Sequence, residues 1–156
     1  MPEGDVPSLL RLDKVAPDKY TVFQPAESAE GRDVVFSGQL LAQMIMAADD
    51  RTEGKKDIKS IQTIFCRAGS YQSPIELVVD PMQAGRTWAS DSISAMQNGK
   101  LLSRALVLSS IYDPDLIRHG PSMPSVSGPG DAEPGGGIVF PGAEARSVPS
   151  PVATGD

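Results

Sequence analysis

One cysteine and one histidine in 156 residues leave little material for metal or redox chemistry. Cys66 has no second cysteine to form an internal disulfide, and a zinc-type cluster needs more cysteine and histidine than Cys66 and His119 supply. No metal site is expected. Positive charge is in deficit too. Fourteen Lys and Arg against 20 Asp and Glu give a formal charge of −6, no electrostatic footprint for nucleic acid or an anionic membrane. A long apolar run is missing, as is a charged-then-apolar N-terminal segment. Neither membrane insertion nor export is therefore expected, and the expected location is the cytoplasm.

Proline and glycine are unevenly spread. Positions 113 to 156 hold 8 of the 14 prolines and 8 of the 15 glycines, including the run GPGDAEPGGG, with too few apolar residues for a core. This divides the chain into a folded domain at 1–112 and a disordered tail or linker at 113–156, in which GIVFPGA (Gly137 to Ala143) is the single apolar island.

Within the folded part, VVFSGQLLAQMIMAADD (Val34 to Asp50) carries the helix signal. Ser37 is a candidate N-cap, and the residues after Gly38 contain neither proline nor a further glycine, which predicts a helix from about Gly38 to Asp49. At 100° per residue Leu40, Leu41, Met44, Ile45 and Ala48 form a broad apolar arc. Gln39, Gln43, Met46 and Asp50 form the opposite stripe, without charge until the last turn. Such a helix is expected to be wrapped on several sides. Asp49 and Asp50 stand where the helix dipole disfavours them, which points to exposure to a basic partner or to simple solvation, solvation being the expectation.

Strand signals surround this helix. LLRL before KYTVFQ suggests one helical turn followed by a short strand at Lys19 to Gln24. Asp57 to Arg67, Pro74 to Asp80, and the pair RTWASDSISAM and KLLSRALVLSSIY alternate in polarity. Asn98-Gly99 between the last two fits a two-residue hairpin turn. Simple pairing across it places Met96 opposite Leu101 and Ile93 opposite Arg104. Ser90, Ser92 and Ser94 then share a face with Ser103, Ala105 and Val107, while Asp91, Ile93 and Ala95 share the other with Arg104, Leu106 and Leu108. Neither face is solvent-like, so the sheet is expected to pair with a second unit. The expected fold is α+β: a long helix wrapped by an antiparallel sheet, the hotdog arrangement, as a single domain with a disordered C-terminal tail.

VVFSGQLLAQMIMAA, the strand end IFCRAG and the hairpin GRTWASDSISAMQNGKLL resemble, in that order, the first half of the type II (TesB-like) acyl-CoA thioesterases. The usual forms there are FGGQ at the helix start, a YFLRPG strand end and a GRSF…QNG hairpin. The likeness covers about residues 8 to 112. It implies two hotdog repeats per chain and hydrolysis of acyl-CoA to a fatty acid and CoA, with no cofactor beyond the CoA of the substrate. In that family an aspartate, a serine or threonine and a glutamine of the second repeat position the attacking water. The equivalent positions for the aspartate and glutamine here fall near Ser60 and Val107. Ala68 replaces the proline of RPG, Lys59 and Gln62 stand where histidines are common, and Asp91-Ser92 replaces a basic pair.

Thioester hydrolysis requires donors for the developing oxyanion and a group that activates water. Candidate catalytic residues are Gly38, whose N–H with that of Gln39 lies at the positive helix end, Gln43 as a water-orienting amide or an internal hydrogen-bonding group, and Asp91. Asp91 is either a buried general base or the cross-strand partner of Arg104. Candidate substrate-binding residues are Gln39, Arg67 and Arg86, the two arginines serving CoA phosphates or structural ion pairs. Cys66 shares parity with Ile64 and is expected to be a small core residue. The lone His119 lies beyond the last strand, which disfavours the enoyl-CoA hydration chemistry of other hotdog proteins. The expected function is acyl-CoA hydrolysis at a composite site in a homodimer or a heteromer with another hotdog chain. The alternative is a non-catalytic acyl-CoA-binding half whose partner carries the Asp/Thr/Gln set.

Overall fold

Alternation of buried and exposed side chains builds one antiparallel sheet in the computed structural model, which describes residues 10–23, 33–114, 116–123, 125–135 and 145–147. The strands are β1 (Asp13–Ala16), β2 (Lys19–Val22), β3 (Asp57–Phe65), β4 (Ile75–Ala84), β5 (Trp88–Gln97) and β6 (Lys100–Ser110), in the spatial order β1-β2-β4-β5-β6-β3. Among the described residues one helix, α1 (Ser37–Thr52), lies between β2 and β3 in sequence and packs on one face. This is the hotdog arrangement. Contacts divide the chain into a unit at Asp5–Asp113 and a second unit that includes Pro114–Asp156. Among the described residues of that second segment, expected to be a disordered tail, β7 (Glu133–Pro134) and β8 (Arg146–Ser147) form a two-residue ladder. The apolar island GIVFPGA lies outside the described residues.

Arg11 and Leu12 are not helical but lead into β1, and Leu9 of LLRL is outside the described residues. DKVA gives little strand signal because none of its four side chains is fully buried. Its pairing with β2 is set by the turn at Asp18, which takes φ 56°.

The helix departs from expectation at both ends. Its N-cap is Phe36 rather than Ser37, with no side-chain hydrogen bond, and it runs on to Thr52. It stops where Glu53 and Gly54 enter the left-handed region at φ 54° and 64°, their N–H groups donating to Asp50 and Asp49 carbonyls. The buried face comprises Gln39, Leu40, Gln43, Met44, Ala47, Ala48 and Thr52. Gln39 and Gln43 thus lie inside rather than on an outer stripe, while Leu41 and Ile45 are only half-buried. Ala47 and Ala48 on the helix, with Ala95 and Ala105 on the sheet, are fully buried, and such small side chains let the two layers approach closely. Ile75, Leu77, Ile93 and Met44 fill the space around them with no exposure, each burial contributing about 1.5–3 kcal/mol.

The hairpin register differs by one residue from simple pairing. Met96 does face Leu101, but Ala95 faces Ser103, so Leu102 is bulged out of the ladder. Ile93 therefore pairs with Ala105, and Arg104 with Ser94. Because side chains alternate with period two, one skipped residue moves every β6 side chain beyond it to the other face. Asp91, Ile93 and Ala95 share the core with Ser103, Ala105 and Val107, whereas Arg104, Leu106 and Leu108 point outward with the serines of β5.

The bulge decides the fate of Asp91. It has no exposed surface and pairs with Arg51 from the last turn of α1, with N···O approaches of 2.6 and 3.0 Å, rather than with Arg104. Arg104 donates instead to Ser94 Oγ on the outer face. Burial pushes the Asp91 carboxyl above its ordinary value, with Arg51 countering. The helix end is held a second time by Asp50, which accepts from Lys14 Nζ and from the buried Tyr20 hydroxyl, both at 2.7 Å. Asp50 is thus partnered within the chain rather than simply solvated.

Two measurements follow from these pairs. Arg51→Ala leaves a carboxylate buried without its cation, and about 3–5 kcal/mol of unfolding free energy should be lost in urea titrations at pH 8. The loss should shrink towards pH 5, because the stranded carboxyl has a still higher folded pKa and is destabilising only once the pH climbs above its ordinary carboxylate value. Arg51→Met with Asp91→Leu should recover most of it. In pH-dependent thermal melts, Asp50 is held below its ordinary value by Lys14 and Tyr20, so its contribution is present above the carboxylate range and is lost as pH falls through the depressed value. Tyr20 is raised by burial and by Asp50, so its contribution is full below its ordinary value of 10.0 and is lost as pH rises beyond it. Tyr20→Phe should flatten the alkaline decline and weaken the acid one.

Candidate functional site: a cleft at the helix N-terminus

Val34 and Val35 before the helix, Ser37 and Leu40 in its first turn, and Phe65, Cys66, Arg67, Ala68 and Gly69 after β3 enclose a cleft of about 450 Å³. Its walls are largely apolar and one rim is cationic. Of the first-turn amides, Gln39 N–H is turned back to Phe36 O at 3.1 Å, which removes it from the expected oxyanion pair. The N–H groups of Ser37 and Gly38 meet no acceptor among the described residues, so the donors at this helix end are these two.

Gly38 is required by its neighbour. A Cβ built there would stand 2.6 Å from Phe36 Cε1 and 2.9 Å from Cζ, so the half-exposed Phe36 ring lies against the bare glycine backbone. The strand beneath is not what its lack of a side chain accommodates.

Cys66 is exposed rather than a core residue, standing just past the end of β3, where it lines the cleft. Arg67 lies on the cleft rim with Nη1 donating to Leu101 O at 2.9 Å. The Cys66 and Arg67 N–H groups both donate to Leu102 O, at 2.7 and 3.0 Å. The bulged residue thus seats the strand end that forms one wall.

The remaining candidates are not brought together. Arg86 lies in the β4–β5 turn, separated from the Arg67 end by the ten residues of β5, roughly 30 Å at about 3.3 Å each. Asp91 lies under the C-terminal end of α1, thirteen residues and roughly 20 Å along the helix from Gly38. Gln43 is fully buried between these ends. Ser60 is exposed on β3, and Val107 is in the core. Among the described residues, those lining the cleft include no carboxylate and no histidine. A second cavity of about 460 Å³, at the other end of the helix, is lined by Lys14, Asp18, Asp50, Arg51 and Glu53 among others; Lys14 and Asp50 already pair with one another there.

The sequence model of the acyl-CoA thioesterase N-terminal domain family matches residues 25–110. The chain belongs to that family. It is 28% identical over 97 residues to acyl-coenzyme A thioesterase 8 of Mus musculus, an alignment covering 62% of this chain and 30% of the mouse protein. The tesB protein of Mycobacterium avium subs paratuberculosis superposes with a TM-score of 0.71 at 27% identity, covering 83% of this chain and 50% of that one. A conserved protein of unknown function with a hot dog fold from Alicyclobacillus acidocaldarius gives a TM-score of 0.72 at 19% identity, over 85% and 49% of the two chains. This thioesterase-family chain therefore spans about a third to a half of the length of these proteins. The match contains every residue of the cleft, and the resemblance stated from FSGQ, IFCRAG and QNG falls on the helix start, the β3 end and the β5–β6 turn.

Gly38→Ala should displace Phe36, a movable side chain, and lower stability by about 1 kcal/mol. In a Phe36→Ala background the same substitution should cost little. A double-mutant cycle in urea then returns a coupling of about 1 kcal/mol, and a null coupling would mean the ring does not rest on Gly38.

Proposed function

We propose that the chain is the first hotdog unit of an acyl-CoA thioesterase, hydrolysing acyl-CoA to a carboxylic acid and CoA at a site completed by a second hotdog unit. That unit is another copy of the chain or a relative. Membership of the thioesterase family supports this, and the observation that carries it is the cleft: apolar walls, two donor amides and Arg67 around one opening.

In this reading the acyl group lies against Val34, Leu40 and Phe65, and the Ser37 and Gly38 amides receive the carbonyl oxygen. Arg67 faces the phosphates of CoA. Water adds to the carbonyl carbon, its proton passes to a base, and the C–S bond breaks to release CoA thiolate. Negative charge that grows on the oxygen during this addition is what the fixed amides stabilise. No cofactor is needed, and the place of action is the cytoplasm, in fatty acid metabolism. The tail from 113 onward serves as a linker beside the thioesterase-like domain at 1–112.

The base is assigned to the second unit. Asp91 is closed off beneath the helix with its charge matched by Arg51, Gln43 is fully buried, and the described residues lining the cleft carry no carboxylate. The same facts favour the alternative in its stronger form, an acyl-CoA-binding half that does no chemistry without a partner chain holding the Asp/Thr/Gln set.

Release of CoA thiol from short to long acyl-CoAs, by protein whose oligomeric mass has been determined, separates these. Turnover by a homodimer, with KM raised about tenfold by Arg67→Ala, supports the self-sufficient pair. Binding without turnover assigns the chemistry to a different partner. Neither binding nor turnover overturns the acyl-CoA assignment.

A further inference from the structure

The two walls of the cleft come from different parts of the chain, one from residues 34–40 and the other from 65–69. The second wall continues into the loop between β3 and β4, which has no ladder of its own to fix it. Its fixing comes from side chains. Gln97, the last residue of β5 and largely buried, commits its whole amide to this loop: Oε1 accepts from Ser70 N at 2.9 Å, and Nε2 donates to Ser70 O at 2.8 Å and Ser73 O at 2.7 Å. From the helix side, Asp33 accepts from Ser70 Oγ at 2.8 and 2.7 Å and from Tyr71 N at 2.8 Å. Val35 N donates to Gly69 O at 2.8 Å.

These bonds do more than close a loop. Those of Asp33 and Val35 join one wall to the other, and Gln97 ties the joined pair to the sheet. Slack at the contact is small, because a Cβ on Gly69 would lie 2.9 Å from Leu102 Cδ1 and 3.4 Å from Val35 Cγ2. Polar bonds of fixed length thus span the two walls beside this apolar contact.

We propose that Asp33 and Gln97 are positioning residues that set the width of this cleft and thereby its affinity for acyl-CoA. The affinity part rests on the function proposed above; the control of width does not. The lone thiol is a built-in reporter, since Cys66 is exposed and lines the cleft.

The test compares Asp33→Ala, Asp33→Asn and Gln97→Met with the unaltered chain by two measurements. Amide hydrogen exchange is followed at Cys66 and Arg67, whose N–H groups touch neither side chain. Protection of Cys66 from N-ethylmaleimide is titrated with a thioether analogue of an acyl-CoA, which cannot be hydrolysed. Asp33→Ala should remain folded, exchange about tenfold faster at both amides and need about tenfold more analogue for half-protection. Asp33→Asn keeps an Oδ1 that can accept from both Ser70 Oγ and Tyr71 N, and should restore both readings. Gln97→Met should move them in the same direction as Asp33→Ala. Because Gln97 is buried and its replacement puts the fold itself at risk, the asparagine–alanine contrast at the more accessible Asp33 decides the matter. Unchanged exchange and protection in Asp33→Ala, or an asparagine variant as impaired as alanine, would overturn the proposal. If the analogue leaves Cys66 unprotected even in the unaltered chain, the acyl-CoA reading falls, while the exchange data still decide whether the two residues hold the wall.

Discussion

A single residue left out of register governs much of this molecule. Leu102, bulged from the β5–β6 ladder, determines which side chains of the longest strand face the helix. Without it Arg104 and Leu106 would face the core and Ala105 and Val107 would not, and the small side chains that let α1 lie close would point to solvent. The same residue works twice, since its carbonyl takes the N–H groups of both Cys66 and Arg67. Internal packing and the shape of the cleft are therefore coupled through one peptide unit. Bulges commonly occur beside functional sites, where they re-aim side chains and end regular pairing.

That coupling extends through polar interactions of different depth. At the C-terminal end of the helix a charged pair is buried, with Asp91 wholly enclosed and Arg51 nearly so. Taking both charges from water is expensive, and such a pair does more to fix an arrangement than to add stability. Here it ties the last helical turn to the middle of β5. At the other end neutral amide and carboxylate contacts to loop backbone have the corresponding task. The helix is thus anchored at one end by charge and bordered at the other by a hydrogen-bonded loop, with alanines between.

Those parts of the fold governed by local rules were legible in the sequence. Asn98-Gly99 declared its turn, and φ values of 50° and 72° at the two residues explain why that dipeptide stands there. The breaker-free run after Gly38 declared the helix, and alternation in IELVV declared β4. What escaped depended on events remote in sequence. The bulge carries no glycine or proline to announce it, so simple pairing sends the β6 side chains to the wrong face and leaves Arg104 as one candidate partner for Asp91. Arg51, forty residues from Asp91, offered no pattern linking the two. Parity with Ile64 does not say which face is covered, so Cys66 reads as a small core residue although both residues are exposed. At the cleft, the helix start and the arginine beside it were visible as motifs, but Asp33 and Gln97 were not. Their role is to bond loop backbone, which no side-chain pattern records.

The sheet order has a consequence for how the chain is made. β3 pairs with β6, so Asp57 must wait for Ser110 before its ladder can close. During synthesis from the N-terminus, β3 emerges well before that partner, and Ile64 and Phe65, exposed even in the finished sheet, have no strand beside them in the interval. The hairpin that finally delivers β6 is itself local and quick to form. Closure of the sheet is then timed by the emergence of β6, and the nascent chain's most vulnerable moment lies between the completion of β3 and the arrival of β6.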